Sequence, residues 1–251
     1  MNAWWKQYLT SPIINYFGSI KEQKSFTREP IIIGGCARSG TSLLLSILSA
    51  HPSIHAIPVE TDAFTEWDER GNAIRIDRLY RQLLLHSSKS TATRWCEKRP
   101  YNVRFIPEIL KYYNDKVKFI HIIRDPRSVC TSSHPKKPGQ YWVSLDRYIH
   151  DVSLGLAYEK HPSVLTLKYE DLVEDTENVL NDLCTFLEEP FIKELKNWYE
   201  HATIRDNKAW FKSLQDIQSD RGWGDPQHQQ RVEEVMSRQE MNQLMSRIGY
   251  S

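Results

Sequence analysis

Arg38, Ser39, Gly40, Thr41 and Ser42 lie in the run Gly35-Cys36-Ala37-Arg38-Ser39-Gly40-Thr41-Ser42, which places one cation and three hydroxyls on a turn with a glycine on either side. Residues of these types at this spacing suit the capture of an oxyanion. Gly35 and Gly40 keep the G-x-x-x-x-G interval of a phosphate-binding P-loop, in which backbone N–H groups and a helix N-terminus cradle phosphates. That motif continues with Lys and then Ser or Thr, the lysine reaching the β/γ-phosphates and the hydroxyl holding Mg²⁺. Thr41-Ser42 follow Gly40 here, so the lysine is missing. The anion-binding half remains, because the first helical N–H groups lack carbonyl partners and the helix dipole favours negative charge there. A nucleotide with a short, non-triphosphate anionic end fits this cradle better than ATP. The plainer alternative is an ordinary strand-to-helix turn in which Gly40 only permits the bend.

Such a cradle needs a strand before it and a helix after it. Pro30 to Gly35 reads as a buried strand and Ser42 to Ala50 as a buried helix ending near His51-Pro52. Ile54 to Val59 is a short strand leading into Glu60-Thr61-Asp62. Thr65 to Gly71 is loop, Ile74 to His86 has helical apolar spacing, and Trp95 to Pro100 is a strand or its exit. Phe105 to Tyr113 is a helix. Val117 to Ile123 is a second inner strand that stops at Arg124-Asp125-Pro126, with a helix over Arg127 to Ser133 capped by Asp125. After a loop over residues 134–140, a helix from Ser144 to Lys160, a strand from Val164 to Leu167 and a helix from Thr176 to Leu187 follow. The tail from Arg231 to Ile248 reads as amphipathic and helical, and Asn207 to Gln230 is mixed. This alternation predicts an α/β, three-layer P-loop-like fold: a central parallel sheet flanked by helices, with a helical C-terminal part. It reads as a single domain, with a helical extension over 1–29, a nucleotide-binding core over 30–187 and a helical segment over 188–251.

In open α/β sheets, ligands bind beyond the carboxyl ends of the strands. Four strand exits carry polar groups: Arg38 to Ser42, Glu60, Lys98, and Arg124 with Ser132 eight residues on. Together they would ring one crevice.

The chain has 251 residues, 40% hydrophobic and 26% charged, enough for one large α/β core. Its 33 basic residues balance 32 acidic ones, so no global field recruits nucleic acid or anionic membrane. Cys36, Cys96, Cys130 and Cys184 are widely spaced, with no C-x-x-C pair and no zinc-type histidine pattern, which points to free thiols in a reducing, cytoplasmic compartment. The N-terminal stretch lacks the continuous apolar core and cleavage site of a signal peptide, and nothing approaches the length of a transmembrane helix. Its aromatics, Trp4, Trp5, Tyr8, Tyr16 and Phe17, fit a docked helix better than a membrane anchor.

GCARSGTSLL (Gly35 to Leu44) is similar to the R-S-G-T-[ST]-L-[LM] core of sulfotransferases that use 3′-phosphoadenosine 5′-phosphosulfate (PAPS), and the chain most resembles the branch with protein-tyrosine sulfotransferases and their bacterial relatives. The resemblance runs from about Ile31 to Leu187. It implies that Arg38, Ser39, Gly40, Thr41 and Ser42 bind the 5′-phosphosulfate, and that Arg124 and Ser132 in IIRDPRSVCTSS bind the 3′-phosphate. AHPSIHAIPVET resembles the segment that ends in the catalytic base, which falls on Glu60. CEKRP resembles the segment whose lysine helps the bridging oxygen leave, which falls on Lys98, and LTLKYEDL suggests Tyr169 near the nucleotide. Sulfuryl transfer needs alignment, cations at the leaving phosphate and a base for the acceptor hydroxyl. Arg38 and Lys98 can supply the cations, and Glu60 the base if burial or a neighbour raises its pKa. The sulfuryl group is monoanionic, so a metal clamp is dispensable and no metal is expected. The acceptor would be a carbohydrate, lipid, phenolic small molecule or peptide tyrosine. An oligomer is open.

Each assignment has a plainer counterpart. Arg124-Asp125 could be a surface ion pair, Glu60 an exposed loop acid, Lys98 part of a solvated charge run and Tyr169 a core residue. His121 reads as core, His134 is a minor candidate for the base, and Trp210 or Trp223 could stack on adenine or acceptor. The competing functions are a degenerate P-loop nucleotide or small-molecule kinase, with Asp125 as its metal-holding acid, and a non-catalytic PAPS-binding protein. A C-terminal nucleotide loop would fall around Ser219 to Trp223.

Overall fold

Ile31–Gly35 (β1) places three β-branched residues in a row, and all five of its residues are buried. A strand apolar on both faces belongs inside a parallel sheet. The computed structural model, which describes residues 3–86, 88–205 and 222–250, puts β1 at the centre of five parallel strands. With Ile54–Ala56 as β2, Arg94–Lys98 as β3, Lys118–Ile123 as β4 and Val164–Lys168 as β5, the order is β2-β3-β1-β4-β5. Ile33 is in register with Lys98 on one side and Ile120 on the other, so the carboxyl ends of β3, β1 and β4 open side by side.

Alternate residues of β1 enter different cores. Ile31 and Ile33 pack with Thr41–Ser49 (α2) and, further along the chain, Thr176–Leu187 (α8). Ile32 packs with Ile76–Leu85 (α3) and Ile106–Tyr113 (α4). A third cluster joins Cys36, Ala37 and Ile123 to Pro126–Cys130 (α5), Leu145–Leu156 (α6), Gln229–Ser237 (α11) and Gln239–Ile248 (α12). The fold is the expected α/β arrangement of a parallel sheet flanked by helices. Short helices Tyr169–Glu174 (α7), Lys193–Lys196 (α9) and Trp198–His201 (α10) complete it.

The N-terminal helix Ala3–Ser25 (α1) docks on α3. Gly18 meets Tyr80 so closely that a Cβ there would run into the tyrosine Cβ. Ser11 donates to Asp77 at 3.1 Å, and Glu22 accepts from Tyr80 at 3.1 Å and from the Trp95 indole at 2.8 Å.

Several boundaries differ from the sequence reading. β2 stops at Ala56, three residues early, because the last sheet bond comes from Ile57 N–H to the Cys96 carbonyl and Pro58 has no N–H to continue it. Pro100–Phe105 forms a 3-10 turn that takes up the end of the strand exit expected to reach Pro100 and the first residue of the helix expected from Phe105, which begins at Ile106. α5 ends at Cys130, three residues early, because Ser133 bridges to Tyr141 and the Ser132 carbonyl accepts from Trp142 N–H at 2.9 Å. α6 ends at Leu156, where Lys160 was expected. The tail is two helices: Arg238 is extended (φ −85°, ψ 119°), which redirects the chain so that Val235 and the Met241, Leu244, Met245, Ile248 face all reach the third core.

His121 is fully buried, and burial pushes its imidazole down to about 3, so it packs as a neutral ring. Gly155 of α6 lies directly on it, and a Cβ there would run into the ring. Gly155→Ala is therefore expected to destabilise the fold by about 1–3 kcal/mol, an overpacking cost. The check is thermal unfolding, where the midpoint should drop by roughly 2–4 °C per kcal/mol.

Candidate active site

The chain turns out of β1 through Gly35, where a Cβ would run into the Ile122 carbonyl of the neighbouring strand. Arg38 then adopts φ +74°, a left-handed conformation that few non-glycine residues take. Gly40 follows at φ +98°, with Tyr169 packed where its Cβ would be. α2 begins at Thr41, and its first backbone bond runs from Leu44 N–H to the Gly40 carbonyl. The preceding N–H groups thus open onto the turn, as at any helix start. Ser39, Thr41 and Ser42 are all buried around it, and the Ser39 hydroxyl has no hydrogen-bond partner among the described residues.

Arg124 arrives from the end of β4. Its guanidinium stacks 4.0 Å over the Tyr169 ring and donates to the Arg38 carbonyl at 3.3 Å, while its Nε is buried without a hydrogen-bond partner among the described residues. Tyr148 donates to the Arg124 carbonyl at 2.6 Å and fixes the strand end. Burial and, secondly, the charge of Arg124 hold the Arg38 guanidinium below its ordinary pKa. Two cations converging on a turn of buried hydroxyls and open N–H groups make a site for an anion.

Arg124 and Asp125 do not form the surface ion pair considered as the plain reading. Asp125 caps α5 by accepting from Arg127 N–H at 2.8 Å, and its carboxylate grips the Arg127 guanidinium at 2.7 to 3.1 Å. Arg127 in turn lies 4.4 Å from the Trp223 ring. Ser132 stands one turn beyond α5 with its hydroxyl donated to the Ser128 carbonyl at 2.8 Å.

Glu60 and Lys98 meet directly. Lys98 Nζ donates to Glu60 Oε1 at 2.6 Å, and Arg99 reaches Glu60 Oε2 at 3.4 Å while also pairing with Asp62. Lys98 is buried, with 7% of its side chain exposed, so it is not part of a solvated charge run. Glu60 keeps 41% of its side chain exposed, so the burial entertained for a general base is absent and two cations surround it instead.

Other residues at the site carried little signal in the sequence. Tyr101 has three guanidiniums near its ring, Arg104 at 4.2 Å, Arg147 at 5.3 Å and Arg99 at 5.7 Å, with Arg104 and Arg147 sharing the buried carboxylate of Asp151. Glu97, between Cys96 and Lys98, is fully buried, and its one clue was a carboxylate inside a strand. The His134 ring packs against Trp142, with centroids 4.5 Å apart. Trp210 and the stretch from Ser219 to Arg221 lie outside the described residues. All four cysteines are free and buried, and burial raises every thiol, Cys184 to about 11 and Cys130 to about 12. No helix among the described residues is long and apolar enough to cross a membrane.

A parallel sheet whose central strand feeds a glycine turn and a helix start, with arginines at the neighbouring exit, defines a P-loop-like α/β protein. Within that class the chain belongs to the sulfotransferase family, whose sequence profile matches residues 30–193. It is 23% identical over 195 residues to a Caenorhabditis briggsae protein named "Putative protein-tyrosine sulfotransferase", covering 68% of this chain and 69% of that one. Its fold is similar to the sulfotransferase domain from the curacin biosynthetic pathway, with a TM-score of 0.56 at 18% identity over 90% of this chain and 99% of that one. A sulfotransferase from Alicyclobacillus acidocaldarius gives 0.53 at 17% identity over 89% and 97%. Mouse sulfotransferase SULT7A1, solved as a complex with PAP, gives 0.52 at 16% identity over 88% and 90%.

Proposed function

We propose that this protein transfers a sulfuryl group from PAPS to an acceptor hydroxyl, with Glu60 as the base and release of adenosine 3′,5′-bisphosphate. The observation that carries the reading is the convergence of Arg38 and Arg124 on the glycine turn, beside the Lys98–Glu60 pair. The donor set fits an anionic nucleotide: the Ser39 hydroxyl and the Arg124 Nε are both buried polar atoms in want of an acceptor. Residues 38–42 would hold the 5′-phosphosulfate, and Arg124 and Ser132 the 3′-phosphate, with Ser132 turning its hydroxyl from Ser128. Tyr169 supports the Arg124 guanidinium and closes the space beside Gly40.

Lys98 and Glu60 neutralise each other at rest. In the reaction the pair divides its work: Lys98 stabilises the oxygen that leaves sulfur, and Glu60 takes the proton of the hydroxyl that attacks it. One S–O bond breaks to the nucleotide phosphate and one forms to the acceptor. The charge that builds on the leaving oxygen is met by Lys98 and Arg38, so the reaction needs no metal. The acceptor is a hydroxyl compound, with carbohydrate, lipid, phenol and peptide tyrosine as the classes to test. We read the whole chain as one such domain, and the free thiols as suited to a reducing, cytoplasmic setting.

The kinase alternative requires a carboxylate for its metal, and the carboxylate of Asp125 is engaged by Arg127. The deciding experiment combines calorimetric binding of PAPS and adenosine 3′,5′-bisphosphate with transfer of labelled sulfate to an acceptor panel in EDTA. Binding of both nucleotides and EDTA-resistant transfer are expected. Absence of binding to either nucleotide overturns the reading, and tight binding without transfer to any acceptor makes this a binding protein.

A further inference from the structure

Glu97 lies on β3 next to Lys98, but adjacent strand residues face opposite sides of a sheet, and its carboxylate is fully buried away from the proposed chemistry. Two segments meet on it. Thr61, the residue after Glu60, donates its hydroxyl to Oε1 at 3.1 Å. Asn102, in the 3-10 turn, donates its amide nitrogen to Oε2 at 2.8 Å and to the Ile33 carbonyl at 3.2 Å. Ile33 stands on β1 two residues before Gly35. A hydrogen-bonded chain therefore runs from the Glu60 loop through Glu97 and Asn102 to the strand that carries the phosphate turn.

We propose that Glu97 is a positioning residue for this site: its ionised carboxylate holds the Glu60 loop in register with Lys98 and the phosphate turn. The inference rests on the sulfuryl-transfer reading, with Glu60 and Lys98 as the reacting pair.

The groups around Glu97 explain why the position calls for an anion. The Asn102 amide nitrogen can only donate, and Asn102 cannot reverse its amide without setting its oxygen against the Ile33 carbonyl. A carboxylate accepts from Asn102 and from the Thr61 hydroxyl together. A protonated acid has to turn its hydrogen onto the Thr61 hydroxyl, which already accepts from Ala63 N–H and then gives up its donation, and an amide brings the same reversal with one hydrogen more, so the chain is weakened. Burial pushes the Glu97 carboxyl up to about 7, opposed by the bonds from Asn102 and Thr61 and by the charge of Lys98. The other titratable groups that interact with it, Cys96 adjacent on β3 and Tyr113 from α4, are themselves raised well above their ordinary values by burial and stay neutral near pH 7. Glu97 thus gains or loses its charge across the neutral range, and the loop loosens as it protonates.

The test compares wild type, Glu97→Gln and Thr61→Val. Turnover is followed from pH 5.5 to 9, and amide exchange of residues 60–63 is followed by mass spectrometry at one fixed pH. Wild-type turnover is expected to fall on the acid side with a midpoint near 7. Glu97→Gln should turn over about 10- to 100-fold more slowly at pH 8, the scale of a misplaced catalytic group. Its KM for PAPS should be little changed, its acid limb near 7 gone, and its exchange at 60–63 faster than wild type while β1 is unaltered. Thr61→Val removes one donor and keeps the acid, so it should lose several-fold in turnover and retain a limb; it also decides the matter if Glu97→Gln does not fold. An active Glu97→Gln enzyme that keeps the wild-type limb, or unchanged exchange at 60–63 in both variants, overturns the proposal. Wild type that transfers to no acceptor overturns the underlying reading instead, and the exchange measurement still decides whether Glu97 holds the loop.

Discussion

Glu60→Gln leaves nucleotide affinity within about twofold of wild type and lowers turnover by about 10²–10⁴, the usual contribution of a positioned general base. Glutamine has nearly the same shape and can still accept from Lys98 through its amide oxygen, so the 2.6 Å contact has a neutral substitute. What disappears is the capacity to take the acceptor proton. Lys98 also loses its counter-charge, which if anything favours an incoming anion, so a fall in nucleotide affinity is not expected. The measurement is single-turnover transfer beside calorimetric binding of adenosine 3′,5′-bisphosphate. Full activity in Glu60→Gln would remove Glu60 from the chemistry and turn attention to a histidine. His134 is a poor substitute where it stands, since its ring is engaged with Trp142 and its Nδ1 accepts from Lys136 N–H at 3.1 Å.

Arg124→Ala has the second large effect, and it falls on binding. A hydrogen bond from a charged donor contributes about 1.5–3 kcal/mol, and each 1.4 kcal/mol is a factor of ten. The expected rise in Kd for adenosine 3′,5′-bisphosphate is thus about 10- to 150-fold. Arg124→Lys should recover only part of the loss, because a point charge can neither stack on Tyr169 as the planar guanidinium does nor offer a paired set of donors. Turnover at saturating PAPS should fall much less than affinity. A Kd within twofold of wild type would take Arg124 out of the nucleotide site.

Much of the architecture was legible because it is local. Three isoleucines followed by two glycines can be an inner strand and a turn, and the positive φ at Gly40 is a local demand of that turn, although what occupies the space beside Gly35 and Gly40, the Ile122 carbonyl and Tyr169, comes from distant segments. The cap of α5 by Asp125 was equally local, a side chain two residues from the N–H it accepts. A boundary failed where another segment competed: Tyr141 and Trp142 draw Ser132 and Ser133 out of α5. The tail is helical as expected, and the third core decides where it turns, at Arg238. The same distinction runs through the site. Residue types at the expected strand exits marked Arg38, Glu60, Lys98, Arg124 and Ser132 as candidates, and the roles expected of them came from the resemblance to sulfotransferases.

Their relations to one another were not in the sequence. Parallel pairing of β1 with β3 and β4 sets Lys98 and Arg124 on either side of the glycine turn, and only that strand order brings the two exits together. Tertiary structure likewise decided that Glu60 is a half-exposed partner of Lys98 where burial had been entertained, that Asp125 belongs to Arg127 where a metal-holding role had been, and that Glu97 is interior. The physical reason is range. Backbone preference and helix capping act over a few residues, whereas the pairing and burial of a charge depend on whatever the chain brings back from tens of residues away. The sequence by itself determined a glycine turn with P-loop spacing but without the lysine, and the charged residues around the strand exits; the packing of the sheet decided which of those charges meet.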